Sequence, residues 1–166
     1  MESQEWLAVT NTQALRFFFE HLKDVAEGDD IPQNELLYNA SVLAHFATTS
    51  TASIPHFPSC PSDLATVFEL FVLDRSQHAD PEIMEAAAAQ ILLLTGFFEG
   101  QVRRRHNVKW YASLGAGFYD QAAQCSSDRS RARMMLTMAA RFDFWRRQQS
   151  RLARELRDLP RLLFRN

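Results

Sequence analysis

The chain has few of the features that mark cross-linked, metal-bound or membrane-spanning proteins. It has only two cysteines, Cys60 and Cys125, which lie far apart, so a disulfide framework and a cysteine-based zinc site are both excluded. Its uninterrupted apolar runs, such as Ala86–Ala89 and Ile91–Leu94, are far shorter than the roughly 20 residues that cross a bilayer. No strand-like alternation bounded by hairpin turns occurs. What remains is an all-α fold without a membrane span.

Lysine is also scarce, and the positive charge is concentrated at one end of the chain. Sixteen of the 18 basic residues are arginine. Residues 129–166 contain eleven arginines and three acidic residues, a net charge of +8, although the whole chain has a net charge of −2. The remaining residues therefore sum to −10. This split predicts either internal pairing between an acidic body and a basic last helix, or a basic surface that binds an acidic partner.

Apolar residues recur at helical spacing along the chain, which predicts a helical bundle. Because 46% of the 166 residues are apolar, the chain can bury one continuous core, and we expect a single domain over residues 1–166. Capping residues such as Asn11 and Asp80, and a first-turn proline such as Pro81, mark helix starts. The proline-rich segment 51–61 predicts a loop. The six predicted helices span about residues 12–27, 32–47, 63–73, 81–97, 107–124 and 128–159.

The fifth predicted helix combines an aromatic face with two glycines. Trp110, Leu114 and Phe118 recur at four-residue steps, which places them on one side of the helix. Gly115 and Gly117 would allow neighbouring elements to approach closely, because glycine has no Cβ. We therefore expect tight packing around this helix.

The last predicted helix, about residues 128–159, is long and arginine-rich, and Pro160 is expected to end it. Apolar side chains at alternating steps of three and four predict a seam, including Phe142 and Trp145, that holds the helix to the body. The arginines of this helix lie on the side opposite the seam. They form either a solvated or internally paired face, or a surface that binds a partner or a second copy of the chain. The candidate interaction residues are Arg147, Arg151, Leu152, Arg154 and Leu156.

A second basic cluster lies between the fourth and fifth predicted helices. Guanidinium groups bind phosphates and carboxylates through paired hydrogen bonds, so this cluster is a candidate site for an anion or an acidic partner. The alternative is that the fourth helix continues past Gly96 and Gly100, and that the arginines complement its negative C-terminal end. The candidate residues are Arg103, Arg104, Arg105, His106 and Tyr111.

Metal and catalytic signatures are missing from the sequence. Di-metal bundles use Glu-x-x-His pairs, and none occurs here. His45 resembles the phosphorylated histidine of phosphotransfer domains, but Thr48 and Thr49 replace the usual lysine and glycine. Cys60 lies near His56, yet nothing indicates a stabilised thiolate, so an inert cysteine is favoured. We expect no metal, no cofactor and no catalytic residues.

Residues 90–123 carry a resemblance to a known group of proteins. An apolar run and a Gly-aromatic pair precede an aromatic-rich helix, and this segment resembles one in an uncharacterised family of bacterial all-helical proteins. The resemblance implies a bacterial origin and a helical fold, and it brings no activity with it. The residues that carry it are Leu92-Leu93-Leu94-Thr95-Gly96-Phe97-Phe98, Arg103-Arg104, Trp110-Tyr111, Leu114-Gly115 and Phe118-Tyr119.

These features favour a non-enzymatic protein-interaction or regulatory module in the cytoplasm, because packing residues are abundant and no catalytic set converges. A protein partner or self-association is expected, and a membrane partner is not. One alternative is a nucleic-acid-associated accessory protein that uses the arginine-rich last helix; the pI of about 6.2 disfavours it. Another is an enzyme or anionic-ligand binder with a pocket near Arg104, His106 and Tyr111.

Overall fold

The computed structural model describes residues 2–26, 30–51 and 79–163, with side chains described for residues 12–26, 30–47 and 79–157. Within these residues the chain is helical and contains no strand, which confirms the all-α fold class. Beyond Thr51, the predicted loop and the predicted third helix lie outside the described residues. The helices are α1 (Glu2–Val25), α2 (Gln33–Thr51), α3 (Pro81–Thr95), α4 (Glu99–Val102), α5 (Val108–Cys125), α6 (Arg129–Ala140) and α7 (Phe142–Leu163).

The chain divides into two compact units, residues 1–57 and 58–166. In the first unit α1 packs along α2. Helix α1 begins at Glu2 and not near Asn11 as predicted, because the preceding Glu-Trp-Leu-Ala stretch is itself compatible with helix. The single domain expected over residues 1–166 stays a prediction. The buried apolar side chains of this unit include Phe18, Leu22, Val25, Leu36, Ala40 and Leu43, at steps of three and four.

The second unit is built around α5, which packs against α3 and against α6. Helix α3 begins where the sequence predicts: Oδ1 of Asp80 accepts hydrogen bonds from the amides of Glu82 at 3.0 Å and Ile83 at 3.3 Å, and Pro81 occupies the first turn. Such a cap satisfies amides that have no partner within the helix. The helix is buried on several faces, as expected for a central element, through Met84, Ala87, Ala88, Ile91, Leu92, Leu93, Leu94 and Thr95.

Helix α3 ends at Thr95, close to the predicted end at residue 97, and does not continue past Gly96 and Gly100 as the alternative interpretation of the basic cluster required. The amide of Gly96 still donates to the carbonyl of Leu92 at 2.8 Å. A Cβ on Gly96 would lie 3.0 Å from the carbonyl oxygen of Arg146 and 2.7 Å from that of Leu92. The backbone of α7 therefore passes so close that only glycine fits, and the chain turns there into the four-residue α4.

The predicted close approach at Gly115 is confirmed, and the one at Gly117 is wrong. A Cβ on Gly115 would lie 2.6 Å from Cζ of Phe142 and 2.9 Å from Cγ2 of Ile91. No atom lies within 4 Å of the corresponding position on Gly117, because that face of α5 is exposed. Gly115 thus joins α3, α5 and α7 at one point.

The single helix predicted for residues 128–159 is divided into α6 and α7 at Arg141, whose φ and ψ are −107° and 19°. The bend brings Phe142 into the space above Gly115, and Phe142 and Trp145 are both buried. Pro160 does not end the helix, which runs to Leu163. Near a helix end, the missing amide of a proline removes only one of the last hydrogen bonds.

Candidate binding surfaces on the second unit

Arg146 is the buried centre of a polar cluster where α7 passes the end of α3. Its side chain is 9% exposed. Nη1 donates to Oε1 of Glu99 at 3.1 Å and lies 3.5 Å from the carbonyl oxygen of Thr95, while Nε and Nη2 donate to Oδ1 of Asp143 at 3.1 and 2.8 Å. Two carboxylates therefore neutralise the one guanidinium. A buried charge is tolerated only when it is paired and hydrogen-bonded in this way.

The two carboxylates of the cluster are each shared with a second side chain. Oγ of Ser150 donates to Oε2 of Glu99 at 2.7 Å, so both oxygens of Glu99 are hydrogen-bonded. Nη2 of Arg147 pairs with Oδ2 of Asp143 at 2.9 Å, and these side chains are 70% and 57% exposed. Such an exposed pair contributes only about 0–1 kcal/mol. Arg147 is therefore available to an incoming carboxylate at little cost.

These residues line an open groove on α7, which we call the α7 groove. It has a volume of about 590 Å³. Four arginines and two carboxylates give the lining an excess of two positive charges. The outer arginines are weakly held, since Arg151 donates to Oε1 of Gln148 at 3.4 Å and Arg154 donates to a backbone carbonyl at 3.5 Å. The lining residues are Glu99, Asp143, Phe144, Arg146, Arg147, Gln148, Ser150, Arg151 and Arg154.

The structure separates the interaction residues predicted on the last helix into two groups. Arg147, Arg151 and Arg154 are exposed and line the α7 groove. Leu152 is fully buried, and Leu156 is half-buried. Leu152 therefore belongs with Phe142 and Trp145 to the buried seam of α7 and offers no surface to a partner. Arg146 was missed by sequence reasoning, although an acid three residues before it, at position 143, is the spacing of a helical ion pair.

A second surface lies at the start of α5, and we call it the basic-aromatic corner. Its exposed residues are Arg103, Arg104, Arg105, Lys109 and Trp110. Beneath them, the rings of His106 and Tyr111 meet edge to face at 5.5 Å, and the rings of Trp110 and Tyr111 do so at 4.9 Å. Tyr111 packs against a buried cluster of Leu94 and Val102, and burial raises the pKa of its hydroxyl.

The structure brings the predicted pair His106 and Tyr111 together and leaves the three preceding arginines facing solvent. Backbone hydrogen bonds hold the turn that carries them. The amide of Arg103 donates to the backbone carbonyl of Glu99 at 2.9 Å, and the amide of Arg105 donates to that of Val102 at 3.1 Å. In the described part of the chain, none of the three guanidinium groups has an ion-pair partner. The alternative of a helix end complemented by arginines required one continuous helix, whereas α4 has only four residues and hence a small dipole.

The described residues of the second unit line one more cavity and form one more ion pair between helices. A cavity of about 420 Å³ lies beside Cys125. At its edge Arg131 donates to both oxygens of Glu85, at 2.6 and 2.7 Å from Nη2, which ties α6 to α3. Among the residues described, no three His, Cys, Asp or Glu side chains come together as metal ligands. Nor does any described helix combine the length and apolar character needed to cross a bilayer.

Comparisons with known proteins identify no relative of this chain. The chain matches no protein-family model, no curated protein and no solved structure. The resemblance of residues 90–123 to a bacterial helical family stays a prediction. Function is therefore inferred from the two surfaces themselves.

Proposed function

We propose that this chain is a non-enzymatic protein-interaction module whose α7 groove binds an acidic segment of a partner protein. The supporting observation is the row of Arg147, Arg151 and Arg154, which line one open groove on a helix whose opposite side is buried. The buried side fixes the helix, so the arginines are presented on a rigid support. Rigid presentation lowers the entropy lost on binding.

The charge pattern of the groove favours a polypeptide over a nucleic acid. Carboxylates of Glu99 and Asp143 lie among the arginines, so they interrupt the row of positive charges that a continuous phosphate backbone would follow. An acidic peptide can place its carboxylates opposite the outer arginines alone. Guanidinium groups bind such carboxylates through two parallel hydrogen bonds. The nucleic-acid role first considered for this helix is therefore not the one we propose for it.

A binding role is also favoured over catalysis by the chemistry of the lining. Arginine remains protonated in proteins and cannot act as a general acid or base near neutral pH. The carboxylates of the groove are hydrogen-bonded to Arg146, Arg147 and Ser150. The scarcity of cysteine and the arginine-rich composition support our further proposal that the module works in a bacterial cytoplasm.

We expect the interaction to be weak and sensitive to salt. Three charge-assisted contacts at about 1.5–3 kcal/mol each sum to at most about 9 kcal/mol. Association costs at least about 4 kcal/mol, so at most about 5 kcal/mol remains, which is a Kd on the order of 0.1–1 mM. Exposed charges are screened, so the affinity should fall as ionic strength rises. A fluorescent glutamate-rich peptide titrated with the protein measures both quantities.

Paired variants test the surface. Arg151→Glu with Arg154→Glu should weaken peptide binding by at least about tenfold, whereas Arg129→Glu with Arg133→Glu, at two exposed arginines of α6, should change it little. Equal losses in both variants, or no binding by the wild type at low salt, would refute the groove as the binding surface.

The partner itself can be captured at the same positions. A photoreactive residue in place of Arg151 should form a cross-link in cell lysate that the same residue in place of Arg133 does not form. Mass spectrometry then distinguishes a second copy of this chain from another protein. A second copy is a real alternative, because the chain outside residues 129–166 has a net charge of −10. The purified partner must bind wild-type protein and fail to bind the Arg151→Glu, Arg154→Glu variant.

A further inference from the structure

Unlike the α7 groove, the basic-aromatic corner has no ion pair with a carboxylate within the described residues. Four permanent cations lie within residues 103–109, and no acidic residue occurs between Glu99 and Asp120. The side chain of Glu99 is directed to Arg146 and Ser150, so it does not neutralise the corner. A dense and uncompensated cluster of this kind is suited to a ligand with closely spaced negative charges.

A large aromatic surface lies next to these charges. Trp110 is 46% exposed, which is unusual for so apolar a ring. Its orientation is set by the edge of Tyr111, at 4.9 Å and 87°. Tyr111 is in turn fixed on the buried residues Leu94 and Val102. Trp110 is therefore an aromatic platform that rests against Tyr111 and is partly exposed to a ligand.

The charges and the platform are close together because the chain folds back on itself. The ring of His106 lies 5.5 Å from that of Tyr111, so the turn carrying the arginines returns beside the first turn of α5. Asn107 caps this helix by accepting a hydrogen bond from the amide of Trp110 at 3.2 Å. The turn that carries the arginines and Trp110 therefore both lie against Tyr111.

We propose that the basic-aromatic corner binds a nucleotide unit, either as a free nucleotide or within a single-stranded nucleic acid. Arg103, Arg104, Arg105 and Lys109 contact the phosphates, and the base stacks on Trp110. Single-strand binding sites combine a cationic track with an aromatic ring, because every base has a flat face that can stack. The guanidinium fork matches the oxygens of a phosphate. This site is independent of the protein-binding role of the α7 groove.

Two other ligands fit the corner less well. An acidic peptide would use the arginines but would make no use of the exposed surface of Trp110. An anionic membrane requires an apolar face of several side chains that can enter the headgroup region. Trp110 is the single large apolar side chain exposed within the described residues 99–119. A nucleotide is the ligand that uses both the charge and the ring.

The test measures the anisotropy of a fluorescent oligothymidylate of about 15 nucleotides at about 50 mM salt, with ATP and inorganic phosphate as competitors. Wild-type protein should bind the oligonucleotide, and ATP should compete better than inorganic phosphate because it supplies a base. Binding of ATP alone would identify the free nucleotide as the ligand. Failure of both the oligonucleotide and ATP to bind refutes the proposal, as does binding only to vesicles containing anionic lipid.

Variants separate the charge from the ring. Arg104→Ala with Arg105→Ala should reduce the slope of log K against log salt by about 1.4, since each phosphate contact on a single strand contributes about 0.7. The control is Arg129→Ala with Arg133→Ala on α6, which should leave the slope unchanged. Trp110→Ala should weaken binding about 5- to 150-fold, the loss expected for one stacked base. An unchanged affinity in Trp110→Ala, or equal slopes in the two arginine variants, overturns the site.

A conservative variant guards against a folding defect in Trp110→Ala. Trp110→Phe keeps a ring for stacking, so it should retain most of the affinity and the wild-type melting temperature. Base stacking on the indole should quench tryptophan fluorescence in the wild type. That quenching should be absent from Trp110→Phe, in which Trp6 and Trp145 remain. Quenching that persists in Trp110→Phe would place the base at another tryptophan and refute the assignment.

Discussion

The ring of Phe142 occupies the space that any side chain at position 115 would need, with Cζ only 2.6 Å from the Cβ position of Gly115. Alanine would gain about 0.5–1 kcal/mol of helix propensity, but overpacking costs about 1–3 kcal/mol. We therefore expect Gly115→Ala to lower the free energy of unfolding, measured in urea. Gly117→Ala is the matched control and should be neutral or stabilising, because its Cβ would meet open space. Equal stabilisation by both would contradict the close packing.

Removal of the buried arginine of the α7 groove should be more costly than removal of its exposed neighbour. Arg146→Ala removes a buried guanidinium and its hydrogen bonds to Glu99 and Asp143. Because both carboxylates remain partly exposed, we expect a loss of about 1–3 kcal/mol. Arg147→Ala removes only the exposed pair with Asp143, at about 0–1 kcal/mol. Urea unfolding of the two variants gives the comparison. If Arg146→Ala and Arg147→Ala lower the free energy of unfolding by similar small amounts, the polar cluster around Arg146 behaves as a solvated one.

Leu152 should behave as a core residue and not as a contact between copies of the chain. Because it is fully buried, Leu152→Asp would place a charge in an apolar site and should unfold the second unit. Leu136, which is 51% exposed on α6, provides the control, and Leu136→Asp should remain folded. Circular dichroism and light scattering distinguish the outcomes. A folded Leu152→Asp protein with reduced mass would instead support a leucine-mediated dimer.

Stability at high pH should report on Tyr111. Burial raises its pKa above the ordinary value of 10.0, so the folded state holds the phenolic proton more tightly than the unfolded state does. The resulting stabilisation is fully present below pH 10, the unfolded pKa, and is lost as the pH rises through the folded pKa. The Tyr111→Phe variant has no phenolic proton. Its free energy of unfolding should therefore lack this part of the decrease at high pH. Identical pH dependence of the two proteins above pH 10 would contradict the shift.

Local signals in the sequence were sufficient for several elements. Asp80 and Pro81 mark the start of α3 because capping depends only on adjacent residues. The burial of Phe142 and Trp145 follows from their helical spacing. Each of these features is decided within a few residues of chain.

Features that depend on distant contacts could not be predicted. The backbone of Arg146 passes beside Gly96, directly after the end of α3, and nothing near Gly96 encodes that approach. Arg146 and the exposed Arg147 are adjacent arginines that the local sequence does not distinguish. The partner that Arg146 contacts, Glu99, lies 47 residues earlier in the chain. Sequence alone showed an arginine-rich helix and could not show which arginine turns inward.

The same long separation sets the order in which the second unit can close. The carbonyl of Thr95 and the guanidinium of Arg146 are 51 residues apart, whereas α3, α5 and α6 follow one another along the chain. Contacts between distant segments require loop closure and form late. During synthesis, the apolar face over Gly115 therefore stays uncovered until Phe142 and the rest of α7 leave the ribosome. A chain truncated before α7 would leave this apolar face exposed, the kind of species on which chaperones act.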